Sequence, residues 1–309
     1  MNTTEQLTAF KAPFKVKEDV EDGIYQELDE QIYRLLPFAN YSAVKKLALG
    51  ATPAHYRAAH RGDDKKTKAK SFGQIVHTAV LMPAWFEQFQ PLPEQIKRRV
   101  GKEWEALKEA HPDHEFLSAA EWNKFEAARD SAYTVREKIL EHPVAKNLLA
   151  EFFPEAVIVW TDKETGVRCK CRIDVYSPQR RLIADIKTTS KPNPYMIAKS
   201  GYYLGYHIQA AMYTDAVQAI TGKELAFWFI FVESEPPHLV AVANGHDAFD
   251  ERVENSNPGG YLELGREQYK WALEVIAKCE ESGEWDGWPL DPTEMVIPKY
   301  AGFEGVYNV

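Results

Sequence analysis

The apolar positions of this chain change period near residue 152. Before it they recur at helical spacing. Phe72, Ile75, Val76, Ala79 and Val80 form one stripe within 71–89, and Trp122, Phe125, Ala128, Ala132, Tyr133 and Ile139 form another within 121–140. A shorter helix is expected over 41–49, with Ser42 as N-cap and Gly50 as its stop, and a further piece from Pro53 through Tyr56 and His60. Residues 61–70 are charged and poor in apolar positions, which reads as a loop, and 90–118 read as irregular to weakly helical. Beyond 152 come β-rich runs at 156–161, 167–176 and 182–188, a helix over 203–221, strands at 225–232 and 238–243, and a helix at about 262–282. Helices first, then three strands, a helix, two strands and a helix predict one α/β domain with a mixed central sheet and a helical N-terminal portion. The expected boundaries are a loosely ordered leader over 1–37, the domain over 38–290 (helical part 38–150, α/β core 151–290), and a C-terminal tail over 291–309.

Composition narrows the class without naming a reaction. The 309 residues are 45% hydrophobic and 27% charged, ordinary for a globular protein. No run of about 18 apolar residues is present, and the first residues lack the apolar segment of a secretory signal, so the expectation is a cytoplasmic protein with no membrane partner. Cys169, Cys171 and Cys279 are too few and too scattered for a zinc or iron–sulfur framework. A net charge of −9 argues against indiscriminate coating of nucleic acid, yet leaves room for a local track of phosphate contacts. Basic clusters lie at Lys65, Lys66, Lys68 and Lys70, at Lys97, Arg98 and Arg99, and at Arg168, Lys170 and Arg172. A solvated face is the ordinary reading of each. The third differs because it alternates along a strand.

That strand leads to the most specific chemistry in the chain. It ends at Asp174, and the next strand carries Asp185 and Lys187, two apart and therefore on one face. Two carboxylates and an ammonium at one edge suit a hard divalent cation beside a positive charge, the arrangement phosphodiester cleavage needs. The apolar residues before Asp185 mark a buried strand, where charge is costly and a functional reason is favoured over a surface ion pair. Asp174 is otherwise a strand-ending turn residue. Glu155 is either a third carboxylate of the site or a polar residue opening a strand. His77 shares a helix face with Gly73; the imidazole is either structural or a ligand, and Gly73 would let a backbone or ligand approach closely. Tyr206, Gln209 and Tyr213 fall on one stripe of the helix that follows. The stripe either contacts DNA phosphates or orders the lysine, or is an ordinary half-buried helix face.

Taken in order, Gly73-x-x-x-His77, Glu155, Asp174, Asp185-x-Lys187 and Tyr206-His-x-Gln209-x-x-x-Tyr213 resemble the PD-(D/E)xK nuclease superfamily. Within it the chain is most similar to the RecE-type (exonuclease VIII) branch, related to the RecB nuclease domain. Thr165-Gly-Val-Arg-Cys-Lys-Cys-Arg-Ile-Asp174 and Gly205-Tyr-His-x-Gln-Ala-Ala-Met-Tyr213 carry much of the likeness, and so does the opening Tyr41-Ser-Ala-Val-Lys-Lys-Leu. The resemblance spans roughly residues 38–290. It lacks the long N-terminal extension of the largest RecE proteins and the cysteine set of Cas4-like relatives.

The resemblance implies a restriction-endonuclease-like core and a Mg²⁺-dependent exodeoxyribonuclease, with Mn²⁺ as a substitute, degrading one strand from double-stranded DNA ends. It implies His77, Asp174, Asp185 and the Ile186 carbonyl as metal ligands and Lys187 as the residue that orients or activates the attacking water. It further implies a ring-shaped homo-oligomer and a RecT-like single-strand annealing protein as partner, in phage-type recombination. Arg168, Lys170 and Arg172 become candidate phosphate contacts. An endonuclease of the same superfamily would share every site residue, and a DNA-binding or assembly protein with a decayed site is the reading from another class.

Overall fold

The computed structural model describes residues 20–60, 68–96, 98–245, 260–288 and 291. The N-terminal portion runs β1 (Gly23–Tyr25), α1 (Glu30–Leu35), β2 (Ala39–Asn40), α2 (Tyr41–Ala48), α3 (Pro53–His60) and α4 (Lys68–Leu81). A 3₁₀ turn (Pro83–Gln88), β3 (Phe89–Pro91), α5 (Lys102–Ala110) and β4 (Glu115–Leu117) follow, then α6 (Ala119–Glu141) and α7 (Pro143–Leu148). The core is β5 (Phe153–Thr161), β6 (Arg168–Ser177), β7 (Leu182–Thr189), α8 (Pro194–Tyr203), α9 (Tyr206–Thr221), β8 (Ala226–Glu233), β9 (Val240–Asn244) and α10 (Tyr261–Ser282).

Among the described residues the main sheet has the order β1-β5-β6-β7-β8-β9, with β2 pairing in parallel on β6. Only β7–β8 is parallel along the main path, so the sheet is mixed, as expected. The parallel step needs a crossover, and α8 and α9 supply it. One face buries Ile158, Cys171, Ile183 and Phe229 under Leu47 of α2, Ile208 and Met212 of α9, and Leu273 and Ile276 of α10. The other buries Ala184, Ile186, Ile230 and Val232 under Val76 and Ala79 of α4 and Val135 and Ile139 of α6. Period-2 strands sandwiched by period-3.6 helices account for both layers.

Several expectations change in detail. The cap of α2 is Asn40, whose side chain accepts from the Ala43 N–H at 3.2 Å, two residues before the expected Ser42. The helix expected over 203–221 starts later, at Tyr206, and an unexpected helix, α8, precedes it; the two are separated at Gly205, which sits at φ +73°. A glycine there resolves the left-handed turn that other residues resist. From residue 20 onward the expected loose leader is structured. β1 pairs antiparallel with β5, and Val20, Tyr25, Leu36 and Phe38 close a third apolar cluster over Val157 and Val159. Those strand residues are fully buried only because this segment covers them. Residues 1–19 and, apart from Asp291, the tail expected over 291–309 lie outside the described residues. So do Lys65, Lys66 and Lys97.

Candidate active site

The site lies where β6, still paired with β5 on its other side, loses its partner on one edge. On one edge β6 is held by β2 at Cys169 and Lys170, and by β7 only from Val175 to Ser177. Between those contacts β6 and β7 diverge, and Asp174 sits at the fork. Its carboxylate replaces the missing ladder bond: Oδ2 accepts from the Ile186 N–H at 2.9 Å. The backbone of Ile186 therefore faces the gap, while the side chains of Asp185 and Lys187 turn toward α9.

Helix α4 supplies the third wall. His77 reaches in with Nε2 2.6 Å from the Ile186 carbonyl oxygen and Nδ1 3.3 Å from Asp174 Oδ2. Gly73, one turn earlier, explains how the helix comes so close. A Cβ at that position would stand 3.0 Å from Thr188 Oγ1 on β7. β5 adds Glu155, which lies between the paired positions Pro154↔Val175 and Ala156↔Ile173 and is held at φ +53°, a strained conformation for a side-chain-bearing residue. Polar atoms of His77, Glu155 and Asp174 fall within 4.8 Å of one another.

Asp185 and Lys187 form the adjoining half. Lys187 Nζ is 2.6 Å from Asp185 Oδ2, and its ammonium lies 4.9 Å from the centroid of the Tyr206 ring. Gln209 donates to the other Asp185 oxygen. Tyr206 and Gln209 thus order the lysine and its aspartate. Tyr213 is buried, edge-on to Tyr41 at 6.2 Å and packed beside Phe227, a role in the core beneath the site.

Charge is concentrated here at low exposure. Burial pushes the Asp174 carboxyl up, but the charge and hydrogen bond of His77, with Lys187 and the Ile186 N–H, outweigh it and hold it below the usual carboxylate range. Burial raises Asp185, with the Asp174 charge adding to the effect against the pull of Lys187. Burial raises Glu155 to about 7, assisted by Asp174 and opposed by Arg172. His77 moves the other way from its burial, up to about 9, because Asp174 and Asp185 favour the imidazolium. Burial would lower Lys187 too, but the two aspartates keep it above the ordinary lysine value. Carboxyls pushed apart by environment and a cationic imidazole between them mark a functional site.

An imidazole, two carboxylates and a backbone carbonyl make a donor set that fits a hard or borderline divalent cation. In this arrangement the imidazolium of His77 lies between Asp174 and Ile186, where positive charge is favoured. Asp185 stands outside the three-residue group and is joined to it through Ile186.

The alternating basic residues of β6 take a different place from the expected phosphate track. Lys170 is 4% exposed, and its Nζ donates to the carbonyls of Tyr33 at 2.7 Å and Leu36 at 2.6 Å. Arg168 donates to the Val20 carbonyl and lies over the Phe38 ring. Both are spent on anchoring the N-terminal segment, and for buried Lys170 this satisfies a cation that would otherwise be costly. Arg172 is the exception: its Nε is 2.7 Å from Glu155, at the rim of the site. Tyr33, whose ring lies near both Lys170 and Arg172, escaped the sequence reading because it falls in the segment taken as a leader.

A protein-family profile described as "PDDEXK-like domain of unknown function (DUF3799)" matches residues 40–285. The chain belongs to this PDDEXK-like family. The match covers the helical portion as well as the sheet, and therefore every residue from Gly73 to Tyr213 discussed above. No curated protein matches the chain. Among solved structures, the crystal structure of a "Putative exonuclease" from Eubacterium rectale is similar, with a TM-score of 0.50 over 88% of this chain and 96% of that one. At 15% identity that likeness shows the fold. The restriction-endonuclease-like core and the PD-(D/E)xK superfamily expected from the residues are met, and a nuclease is the class they support. The RecE-type branch is not singled out by either match.

Proposed function

We propose that the PDDEXK-like chain is a Mg²⁺-dependent exodeoxyribonuclease of the RecE type that removes one strand from the ends of linear duplex DNA. The observation that carries the reading is the fork between β6 and β7. There Asp174, the Ile186 backbone and His77 meet, with Lys187 held beside them on Asp185. His77, Asp174, Asp185 and the Ile186 carbonyl would hold the metal, with Glu155 as a further oxygen donor. A divalent cation bound there supplies positive charge to a phosphate and makes water more acidic.

The chain's own groups do the remaining work. The Lys187 ammonium, held by Asp185 and the Tyr206 ring, directs positive charge to the phosphate or to the attacking water. Gln209 keeps Asp185 in that geometry through its amide. In the metal-free protein burial raises Glu155 to about 7, and a bound cation would favour its ionised form, in which it serves as an oxygen donor. A ring-shaped oligomer around DNA and a RecT-like annealing partner belong to the same proposal.

End-labelled linear duplex, incubated with Mg²⁺, Mn²⁺, Ca²⁺ or EDTA, tests enzyme, cofactor and polarity together. The expected result is loss of label from one strand with Mg²⁺ or Mn²⁺ and none with EDTA. Cutting of covalently closed circular duplex would instead support an endonuclease. Metal binding without any cleavage would point to a DNA-binding protein.

A further inference from the structure

Helix α8 leaves the catalytic strand almost at once and presents an unusual face. Thr189 ends β7 two residues after Lys187, and α8 begins at Pro194. Tyr195, Lys199, Tyr202 and Tyr203 occupy i, i+4, i+7 and i+8, one side of a helix. An aromatic stripe at this spacing ordinarily faces the core. Here it faces out: Tyr195 is 71% exposed, Tyr203 68% and Tyr202 49%. The opposite side holds the helix down. Ile197 packs on the core, and buried Gly201 lets α8 lie close to Tyr206 and Tyr261.

The segment that carries the stripe has charge of one sign. No aspartate or glutamate occurs between Asp185 and Asp215, while Lys187, Lys191 and Lys199 all fall in that stretch of a chain whose net charge is −9. Lys191 and Lys199 are exposed. The stripe carries three rings and a lysine, and exposed Leu204 lies just beyond it. That composition suits stacking against bases and offsetting phosphate charge rather than burial against an apolar partner.

The face is also continuous with the candidate site. Tyr202 stacks on His207 at 5.4 Å, in the first turn of α9, the turn whose Tyr206 ring seats Lys187. We propose that Tyr195, Tyr202 and Tyr203, with Lys191 and Lys199, form a stacking platform that binds single-stranded nucleic acid passing to or from the Lys187 site. This rests on the nuclease reading for its direction of travel, but the binding itself is measured without cleavage.

The test is fluorescence anisotropy of the full chain in EDTA with a labelled oligo(dT) strand and, separately, a blunt-ended DNA hairpin. Tyr195→Ala/Tyr203→Ala is expected to weaken binding of the single strand about 25-fold or more, since each ring stacked on a base is worth about fivefold or better. The Tyr195→Phe/Tyr203→Phe protein keeps the ring and is expected to bind within about twofold of the parent, because the π-face does the stacking. Lys191→Gln and Lys199→Gln should each flatten the dependence of log affinity on log salt by about 0.7. Circular dichroism and melting establish that each variant is folded, and the single Tyr195→Ala variant replaces the double one if the latter melts early. Equal affinity of the alanine and parent proteins for oligo(dT), or no binding by the parent, overturns the platform. So does a loss of self-association in sedimentation with single-strand binding intact, which would make the face a contact between copies. If the parent binds oligo(dT) through these rings but cuts no DNA in Mg²⁺, the nuclease reading fails and the platform stands.

Discussion

Asp185 and Lys187 hold each other in a half-dry fork, so removing either leaves the other with its charge uncompensated. Lys187→Ala is expected to reduce DNA cleavage by about 10²–10³, the typical loss when one preorganised charge is removed from a reacting site. The protein should remain folded by circular dichroism, with a melting temperature some degrees lower because buried Asp185 loses its partner, and normal cleavage by a folded Lys187→Ala protein would remove the lysine from the mechanism. His77 gives a pH prediction with a definite sign. Its folded value is raised to about 9, above the ordinary 6.5, by Asp174 and Asp185. A group raised in the folded state contributes stability that is full below about 6.5 and is lost as pH climbs through 9. In EDTA, the melting temperature should therefore fall by a few degrees between pH 6.5 and 9.5. His77→Asn should flatten that limb; an unchanged slope would mean another group sets it.

The elements that position these residues were largely legible because their periodicity is strong. Strands β5, β6 and β7 and helices α6 and α10 lie close to their expected bounds, and Asp185 and Lys187 share a face as two-residue spacing requires. The divergence of β6 from β7 was not legible: nothing in either strand says that pairing stops at Val175 and lets Asp174 turn into the gap. Nor did sequence show α8: Pro192, Asn193 and Pro194 read as loop, and Gly205 is one glycine among 17 until its positive φ marks a helix boundary. Packing between helices is equally hidden. A Cβ on Gly265 of α10 would stand 2.1 Å from the His207 carbonyl oxygen of α9, whereas one on Gly73 would stand 3.0 Å from a rotatable hydroxyl. Gly265→Ala must therefore separate two backbones and is expected to destabilise by about 3 kcal/mol or more. Gly73→Ala can be absorbed by Thr188 at about 1 kcal/mol or less, because alanine also favours the helix. Urea denaturation of both variants checks the order, and equal losses would contradict the close α9–α10 crossing.

At the scale of the whole molecule, the N-terminal segment turns out to be part of the sheet, and the β6 cations explain why. A charged strand beside a polar N-terminal segment looks like a ligand track, but Lys170 points into carbonyls that the segment itself brings. The two buried apolar residues Val157 and Val159 needed a cover, and β1 with Val20, Tyr25, Leu36 and Phe38 provides it. A protein starting at residue 38 would expose that edge of β5 and its apolar patch, inviting aggregation. Its stability should drop by several kcal/mol, given about 25 cal/mol for each Å² of apolar surface uncovered. Lys170→Met in the full-length chain makes the contrasting case. It replaces a buried ammonium by an apolar side chain of similar length and leaves two carbonyls without that donor, so the gains and losses are comparable, within about 2 kcal/mol. If Lys170 instead served DNA, Lys170→Met would weaken duplex binding and lower its salt dependence by about one phosphate contact while leaving stability unchanged. Duplex affinity and its salt dependence, measured on a Lys170→Met sample shown by urea to be folded, decide between a strut and a contact, and the buried Nζ predicts the strut, with both unchanged.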